Sequence, residues 1–245
     1  MTDGDGEYIA SLRRLPLMSP EQLLAGRALV VIAPHPDDES LGMGGLLASA
    51  QSMGTPVTVV FLTDGEGSHV GSPSFPPETL ARWRRAEATD ALFALGIPPT
   101  SARFLALGDA RLDALSATTR EAAMNALRAC VSSPALVCVT ARTDPHGDHR
   151  AASSIVNDID WPEGVAVMEY PVWTWLADET GLPTQAATGY RVDITTALVS
   201  KRRAIAAHRS QHGGVITDAE QAFELEASFL AMFDHPTETL VWPTR

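Results

Sequence analysis

The chain has 245 residues, and its 18 lysines and arginines against 30 aspartates and glutamates give a formal net charge of −12 at pH 7. Nucleic-acid binders need basic surface to neutralise phosphates, so this balance disfavours a nucleic-acid partner. Hydrophobic residues make up 45% and charged residues 20%, which is typical of a folded globular protein. No apolar run is long enough to cross a bilayer, and the acidic start of the chain lacks the features of a signal peptide. We therefore expect a cytoplasmic protein with no stable membrane insertion, in which Cys130 and Cys138 allow at most one disulfide.

Short apolar runs rich in β-branched residues alternate along the chain with segments of helical periodicity. Strands are predicted at residues 28–33, 57–62, 103–107, 135–140 and 165–170, with an edge strand at 191–194. Helices are predicted at residues 41–53, 77–95, 118–130, 149–157, 196–208 and 217–233. This alternation predicts an α/β fold with a doubly wound, mostly parallel, Rossmann-like sheet and helices on both faces. We expect one catalytic domain over residues 1–245, with an N-terminal extension at 1–25, a core at 28–170, and a loop and C-terminal helices at 171–245.

Two loops at the ends of predicted strands concentrate histidines and carboxylates. Residues 34–40 read PHPDDES after the first strand, and residues 144–150 read DPHGDHR after the fourth. Open α/β folds bind their ligands at the carboxyl edge of the sheet, where both loops emerge. We therefore expect the two loops to face each other.

A set of three imidazole and carboxylate groups suits zinc, which keeps a fourth position open for water in catalytic sites. His35 and Asp38 stand three residues apart in the first loop, and His149 completes the set from the second. The alternative is that the carboxylates only cap the helices that follow. Capping requires no histidines, so the two loops together favour a metal site.

These residues carry a resemblance to a known family. His35-Pro36-Asp37-Asp38-Glu39 together with His146-Gly147-Asp148-His149 resembles the paired signature of the LmbE-like, or PIG-L, zinc-dependent de-N-acetylases. The likeness extends from about residue 28 to 212 and includes weaker matches in 62–67 and near the end of the chain. Those weaker matches are Arg84, Glu87, Leu95, Gly96, Lys201, Ala204, His208, Ser210 and Gln211.

The resemblance implies a role for each residue of the two motifs. His35, Asp38 and His149 are implied as ligands of one Zn²⁺ ion. Asp37 is implied as the general base. His146 is implied to stabilise the oxyanion, in its protonated form, and to assist the leaving amine. Asp148 is implied as a partner that orients His146 or a ligand.

The resemblance also implies that Glu66 and Arg84 contact the sugar, although Arg84 also fits a solvated charge on a helix. The chain departs from mycothiol-pathway members, where an aromatic residue is expected just before the second histidine motif. Thr143 and Asp144 occupy that stretch here, and Gly42 occupies a position that distinguishes branches of the family. The acceptor that carries the acetamide therefore stays open.

Several other features have a structural interpretation beside a functional one. The glycines in 42–45 lack the spacing of a dinucleotide-binding loop, and adjacent carboxylates would repel a pyrophosphate, so we expect them to allow close packing. His208 and His212 have a metal-compatible spacing, but we expect them to satisfy the end of a helix. The basic run at 201–203 is expected to be a solvated face. Trp173 and Trp175 fit either a sugar platform or the core.

The sequence thus predicts a hydrolase with one zinc ion that removes acetyl from an N-acetylated amino sugar or glycoconjugate. A different divalent metal, such as iron, also fits the ligand types. The alternatives are an amidase of a larger amide such as a thiol conjugate, a nucleotide-dependent α/β enzyme, and a metal-binding sensor without activity. The intact Asp37 and His146 disfavour the sensor, because a binder needs no base.

Overall fold

The computed structural model describes residues 7–243 and contains an eight-stranded sheet surrounded by helices. The strands are β1 (Leu17–Met18), β2 (Ala28–Ala33), β3 (Val57–Phe61), β4 (His69–Val70), β5 (Ala102–Phe104), β6 (Ala135–Thr140), β7 (Val165–Tyr170), β8 (Gly189–Asp193), β9 (Gln221–Ala222) and β10 (Thr237–Val241). The helices are α1 (Glu7–Arg13), α2 (Pro20–Leu24), α3 (Asp38–Ser52), α4 (Pro77–Ala94), α5 (Ala117–Ala129), α6 (Gly147–Asn157), α7 (Leu198–Ala207) and α8 (Ala227–Leu230).

The strands of the large sheet lie in the order β1-β8-β10-β7-β6-β2-β3-β5, and β4 pairs with β9 in a separate two-stranded sheet. The pairs β2–β3, β3–β5, β2–β6, β6–β7 and β1–β8 are parallel, whereas β10 runs antiparallel to both β7 and β8. The predicted mostly parallel α/β fold is therefore confirmed. The loops that follow β2, β3, β5 and β6 emerge at one edge of four neighbouring strands.

Alternate residues of β2 belong to different cores, which is why the strand is apolar throughout. Leu29, Val31 and Ala33 join a cluster with α3, α4 and α7. Val30 and Ile32 join a second cluster with α5 and α6 on the opposite face. Helices therefore cover both faces of the sheet, as the sequence predicts.

Close contact between α3 and its neighbours explains the glycines of residues 42–45. A Cβ at Gly42 would lie 2.3 Å from the ring of Tyr170, and one at Gly45 would lie 2.5 Å from Ile194. These glycines therefore serve close packing of side chains against α3, and they give no support to the nucleotide-dependent alternative. The expectation of close packing is confirmed.

The C-terminal part of the chain differs most from the sequence prediction. The predicted helix at 217–233 is wrong, because this segment contains β9 and only the short helix α8. The predicted edge strand at 191–194 corresponds to β8, which lies inside the sheet between β1 and β10. Strand β10 was not predicted. β1 and α2 lie within the predicted 1–25 extension, so part of that extension pairs with the sheet.

The basic run at 201–203 is only partly solvated, because the Lys201 side chain is 2% exposed. Its Nζ lies 2.7 Å from Oε1 of Glu238, whose carboxylate also accepts from the backbone N–H groups of Gly45 and Leu46. Arg202 and Arg203 are exposed, as predicted. Cys130 and Cys138 are both free thiols. Within residues 7–243, no helix combines the length and the apolar character needed for a membrane span.

Candidate active site

The loop after β2 turns sharply at Asp37, immediately before α3 begins. Asp37 has φ 139° and ψ −33°, a conformation that residues with a Cβ rarely adopt. Its backbone N–H donates to Oε2 of Glu39 at 3.0 Å. Nη2 of Arg84 donates to the carbonyl oxygen of Pro36 at 2.5 Å and to Oδ2 of Asp37 at 2.9 Å. Strained residues persist only where their surroundings hold them, so Glu39 and Arg84 fix the direction of the Asp37 carboxylate.

The three predicted metal ligands meet around one carboxylate oxygen. Oδ2 of Asp38 lies 3.3 Å from Nδ1 of His35 and 3.3 Å from Nε2 of His149. A tetrahedral ion with bonds of about 2.0–2.1 Å has neighbouring ligand atoms about 3.3 Å apart. Nε2 of His149 is buried and makes no hydrogen bond to any described residue. Such an unsatisfied nitrogen is costly unless it binds a cation, so these donors fit a divalent metal ion.

Each of the two predicted histidine ligands has a carboxylate at its other ring nitrogen. Nδ1 of His149 lies 2.7 Å from Oδ2 of Asp144. Nε2 of His35 lies 3.1 Å from Oδ1 of Asp109 and 3.2 Å from Oδ2 of Asp148. Histidines that bind metal typically donate their second N–H to such a group, which fixes the tautomer and the ring orientation. The arrangement leaves Nδ1 of His35 and Nε2 of His149 for a metal.

Other combinations of donors also converge here. Ring nitrogens of His35, His146 and His149 lie within 4.8 Å of one another. One donor atom each of His35, Asp109 and Asp148 also lie within 4.8 Å of one another. The two motif loops are therefore in contact, and their polar groups are concentrated around the His35 ring.

Asp109 and Asp144 were not predicted as site residues. Asp144 follows β6 and accepts from the backbone N–H of Thr174 at 2.7 Å, which ties the loop after β7 to the ring of His149. Asp109 follows β5 and accepts from the backbone N–H of Gly67 at 2.8 Å. The signal in the sequence was a carboxylate after a predicted strand. Neither is part of a recognised motif, so that signal was weak.

Asp148 contacts both of the partners that the resemblance offered for it. Its carboxylate lies against the ring of His35 and also accepts from the backbone N–H groups of Ala110 and Leu112, at 2.8 and 3.0 Å. Its own backbone N–H donates to Nδ1 of His146 at 3.2 Å. The carboxylate therefore orients a predicted ligand, and the main chain orients His146.

The surroundings of His146 disfavour a protonated ring. Burial, and then the positive charges of His149 and His35, lower the pKa of His146 to about 4. Its Nδ1 accepts a hydrogen bond, so the proton of the neutral ring lies on Nε2. A lowered pKa favours the neutral ring, and in that form the ring would donate through Nε2–H.

The pKa values of the other ionisable groups of the site are shifted, and burial and the neighbouring charges set the direction of each shift. Burial raises the pKa of Asp37 to about 6, although the Arg84 guanidinium opposes this change. Burial opposes the charged form of Asp38, but the positive charge of His149 and the close contact of both histidine rings outweigh it and lower the pKa of Asp38. Burial would lower the pKa of His149, but Asp38 and Asp144 outweigh it and raise that pKa to about 9.

Arg84 is not the solvated helix charge that the alternative interpretation allowed. It is 3% exposed, lines the cavity of the site, and is held by Asp37 and by the carbonyl oxygen of Gly65 at 2.9 Å. Glu66 accepts from the backbone N–H of Asp109 at 3.0 Å and is not among the residues that line the cavity. A sugar contact for either residue stays a prediction.

His208 does more than satisfy a helix end. Its Nε2 lies 3.1 Å from Oε1 of Glu39 and 3.2 Å from Oγ of Ser40, so an acidic partner comes from a distant part of the sequence. His212 instead contacts the carbonyl oxygen of Ile205 at 2.8 Å, as expected. The two histidines therefore have different partners. His208 supports Glu39, which in turn holds the backbone of Asp37.

The cavity over these groups has a volume of about 200 Å³. It is lined by His35, Asp37, Asp38, Leu41, Gly67, Ser68, Arg84, Asp109, Ala110, His146, Trp173, Phe223 and Leu225. Of the two tryptophans left open by the sequence, Trp173 lines this cavity and Trp175 borders a different one.

Comparison with known proteins agrees with this geometry. The family model of the GlcNAc-PI de-N-acetylases, PIG-L, matches residues 30–159, which is more than half of the chain and includes both motif loops. The chain belongs to the PIG-L family. The resemblance predicted from the sequence is thereby confirmed.

Curated relatives from bacteria match over limited stretches. A probable N-acetyl-alpha-D-glucosaminyl L-malate deacetylase 2 of Bacillus subtilis is 40% identical over 87 residues, which cover 35% of this chain and 38% of that protein. A 1D-myo-inositol 2-acetamido-2-deoxy-alpha-D-glucopyranoside deacetylase of Kineococcus radiotolerans is 35% identical over 96 residues, covering 38% of this chain and 26% of that protein. The chain thus matches well under half the length of these relatives.

Two solved structures share the fold of this PIG-L family member over most or nearly all of its chain. The N,N'-diacetylchitobiose deacetylase of Pyrococcus horikoshii superposes with a TM-score of 0.66 at 23% identity and covers 99% of this chain and 95% of that one. A conserved protein of Thermus thermophilus gives a TM-score of 0.62 at 23% identity, covering 89% of this chain and 95% of that one. These likenesses establish the fold.

Proposed function

We propose that this protein is a zinc-dependent hydrolase that removes acetyl from an N-acetylated amino sugar or its glycoconjugate and releases acetate and a free amine. The observation that carries the proposal is the position of Asp38 Oδ2, 3.3 Å from both His35 Nδ1 and His149 Nε2, in a chain of a de-N-acetylase family. A different divalent ion such as iron is compatible with the same donors.

His35, Asp38 and His149 would hold the metal ion. When bound, a divalent ion polarises an amide carbonyl and lowers the pKa of a water molecule, which are the two activations that amide hydrolysis needs at neutral pH. The carboxylates of Asp144, Asp109 and Asp148 contact the second ring nitrogens of the two histidines and so orient Nδ1 of His35 and Nε2 of His149 toward the metal position.

Asp37 accepts the proton of the attacking water. Its carboxylate lies next to Asp38 in the chain, lines the cavity, and has a pKa near 6, so it is ionised at neutral pH and still basic enough to take a proton. The hydrogen bonds from Arg84 and Glu39 hold it in one direction. A general base must be positioned in this way to act in the transition state.

His146 stabilises the negative charge that develops on the carbonyl oxygen. The hydrogen bond from Asp148 N–H to Nδ1 leaves Nε2–H as its donor. A preorganised donor of this kind lowers the activation free energy by several kcal/mol in comparable sites. The proton taken up by Asp37 is then available for the amine nitrogen, so the reaction balances without a protonated His146.

Glu66 and Arg84 remain predicted sugar contacts, and Arg84 has the closer position because it lines the cavity. An amidase acting on a larger amide, such as a thiol conjugate, would use the same residues and differ in the acceptor. We further propose that residues 1–245 act as one catalytic domain, because strands from both halves of the chain share one sheet. A cytoplasmic location stays a prediction from the sequence.

The test is release of acetate from a panel of N-acetylglucosamine derivatives by purified protein, before and after treatment with a chelator. The proposal predicts acetate release that is lost with the metal and restored by added Zn²⁺ or another divalent ion. Absence of acetate release from every member of the panel by the metal-loaded protein would contradict it.

A further inference from the structure

Two chemically different sets of side chains line the cavity of the candidate site. Ionisable side chains form one set. The other set comes from the part of the chain after residue 170 and consists of Trp173, Phe223 and Leu225, which we call the apolar wall. Phe223 is 38% exposed, although large aromatic side chains are usually buried. An apolar surface that faces a reactive centre requires an explanation.

The apolar wall is held rigidly by aromatic packing. The Trp173 ring stacks on Phe229 with a centroid distance of 4.1 Å and an angle of 8°. Phe223 meets the same tryptophan edge-on, at 5.7 Å and 70°. Both arrangements are favourable for aromatic pairs. Stacking on Phe229 thus holds the Trp173 ring in place, and Phe223 is the more exposed end of the apolar wall.

Backbone hydrogen bonds hold Phe223 and Leu225 against two other segments of the chain. Phe223 N–H donates to the carbonyl oxygen of Ser68 at 2.8 Å, and Leu225 N–H donates to that of Gln211 at 2.7 Å. The adjacent strand β9 pairs with β4. Ser68 itself lines the cavity. Phe223 is therefore anchored to the loop that follows β3, and Leu225 to the segment that follows α7.

The charges around the cavity indicate which substituents fit. Arg84 is the one lysine or arginine among the described residues that line the cavity, and it is paired with Asp37. Asp109 adds a carboxylate to the lining. A carboxylate or phosphate next to the apolar wall would lose hydration without gaining a cation. An apolar group would gain contact with two aromatic rings and a leucine.

We propose that the apolar wall is a subsite for an apolar substituent carried by the substrate, either on the sugar as an aglycone or on the amide as a longer acyl chain. This inference rests on the proposed function and specifies the class of substrate. All three wall residues lie outside the segment 30–159 that matches the family model. The matched segment supplies the reactive groups, and the C-terminal part of this chain supplies the selectivity.

The test compares hydrolysis of N-acetylglucosamine as its methyl, phenyl and carboxymethyl glycosides, together with the N-hexanoyl methyl glycoside. We expect kcat/KM to be at least about tenfold higher for the phenyl or the N-hexanoyl compound than for the methyl glycoside, and lowest for the carboxymethyl one. A gain with the phenyl glycoside assigns the wall to the aglycone, and a gain with the N-hexanoyl compound assigns it to the acyl chain.

Substitution of Phe223 gives the structural control. In Phe223→Ala, kcat/KM for the apolar substrate should fall to about the value for the methyl glycoside. Phe223→Leu should restore part of the difference, because leucine restores part of the apolar contact. Phe93→Ala, at a phenylalanine that is 77% exposed on α4 and does not line the cavity, should keep both the rates and the preference. Quenching of tryptophan fluorescence by p-nitrophenyl glucosaminide measures binding without turnover and should weaken in Phe223→Ala.

Two failures remain distinguishable. If no glycoside releases its acyl group, the proposed function fails. If all four are hydrolysed at similar kcat/KM, if the carboxymethyl compound is preferred, or if Phe223→Ala retains the preference, the subsite is wrong while the proposed hydrolase activity stands.

Discussion

Arg84 and Asp37 form a buried ion pair in which Nη2 and Oδ2 are 2.9 Å apart and the two side chains are 3% and 9% exposed. The same guanidinium contacts the carbonyl oxygens of Pro36 and Gly65. One arginine on α4 therefore fixes the loop that follows β2, the loop that follows β3 and the predicted general base. Removal of one partner of a buried ion pair leaves the other charge buried without an opposite charge beside it, which is strongly destabilising.

Arg84→Met should lower kcat by at least about tenfold, because the Asp37 carboxylate loses the donor that orients it. Arg82→Met is the matched control, since Arg82 is exposed on the same helix. The comparison uses initial rates at saturating substrate, with the metal content of each variant determined in parallel. Equal kcat for both variants would argue against positioning by Arg84.

Asp37→Ala should retain the metal and lose turnover by at least about 10², which is the usual magnitude of general-base catalysis. The reason is that Asp37 is proposed to take the proton of the attacking water, whereas the neighbouring Asp38 is the predicted metal ligand. The measurement pairs kcat with metal content. Full activity of Asp37→Ala would show that the base lies elsewhere, even with a metal present.

Asp144→Ala should weaken metal binding by about 10–100-fold, because Asp144 orients the ring of His149 at 2.7 Å. Competition between the protein and a chromophoric chelator gives the affinity. Asp160→Ala, at an exposed aspartate beyond α6, should bind metal as the unmodified protein does. An unchanged affinity in Asp144→Ala would exclude this orienting role.

Lys201→Met should reduce the free energy of unfolding by about 3–5 kcal/mol, because Glu238 would remain buried without its cation. Arg203→Met, at the exposed end of the same basic run, should change it by no more than about 0.5 kcal/mol. Urea denaturation followed by circular dichroism compares the two. Equal stability of both variants would contradict the importance of the buried pair.

The two thiols should differ in reactivity with pH. Burial raises the pKa of Cys130, with Arg103 opposing, and burial raises the pKa of Cys138 much further. The thiolate is the reactive form, so a disulfide reagent should modify Cys130 slowly at pH 7 and faster as pH rises. Cys138 should react only after unfolding. Rapid modification of two thiols per native chain at neutral pH would contradict this.

The strands β2, β3 and β6 in the middle of the sheet were predictable from the sequence, because they are buried almost throughout and so read as nearly continuous apolar runs. Strand β7 was also predicted, although it reads VAVMEY and its first three residues are half-buried. Strand β10 was not predictable in this way. It reads TETLV, and its Glu238 looks like a surface residue until Lys201 is brought beside it. Long-range partners of this kind leave no local signal.

In the candidate site too, some residues have a local signal in the sequence and others depend on long-range contacts. The set of His35, Asp38 and His149 was predictable because each residue lies in a short motif at the end of an apolar strand. Asp109 supports His35 through a contact between loops that only the folded chain creates, whereas Asp144 supports His149 from five positions away in the same loop. The role of His208 depends on Glu39, which is 169 positions away. The helix predicted at 217–233 failed because its apolar residues are divided between the cavity, which Phe223 and Leu225 line, and the core, in which Phe229 and Phe233 pack.

The central claim is that one divalent ion is held jointly by the loop after β2 and the loop after β6. Elemental analysis of the purified protein and of His35→Ala, His149→Ala and His235→Ala tests this most directly, because His235 is exposed and distant in sequence from both motifs. We predict one ion per chain in the unmodified protein and in His235→Ala, and loss of that ion in each of the other two. Retention of a full complement of metal by both His35→Ala and His149→Ala would contradict the account.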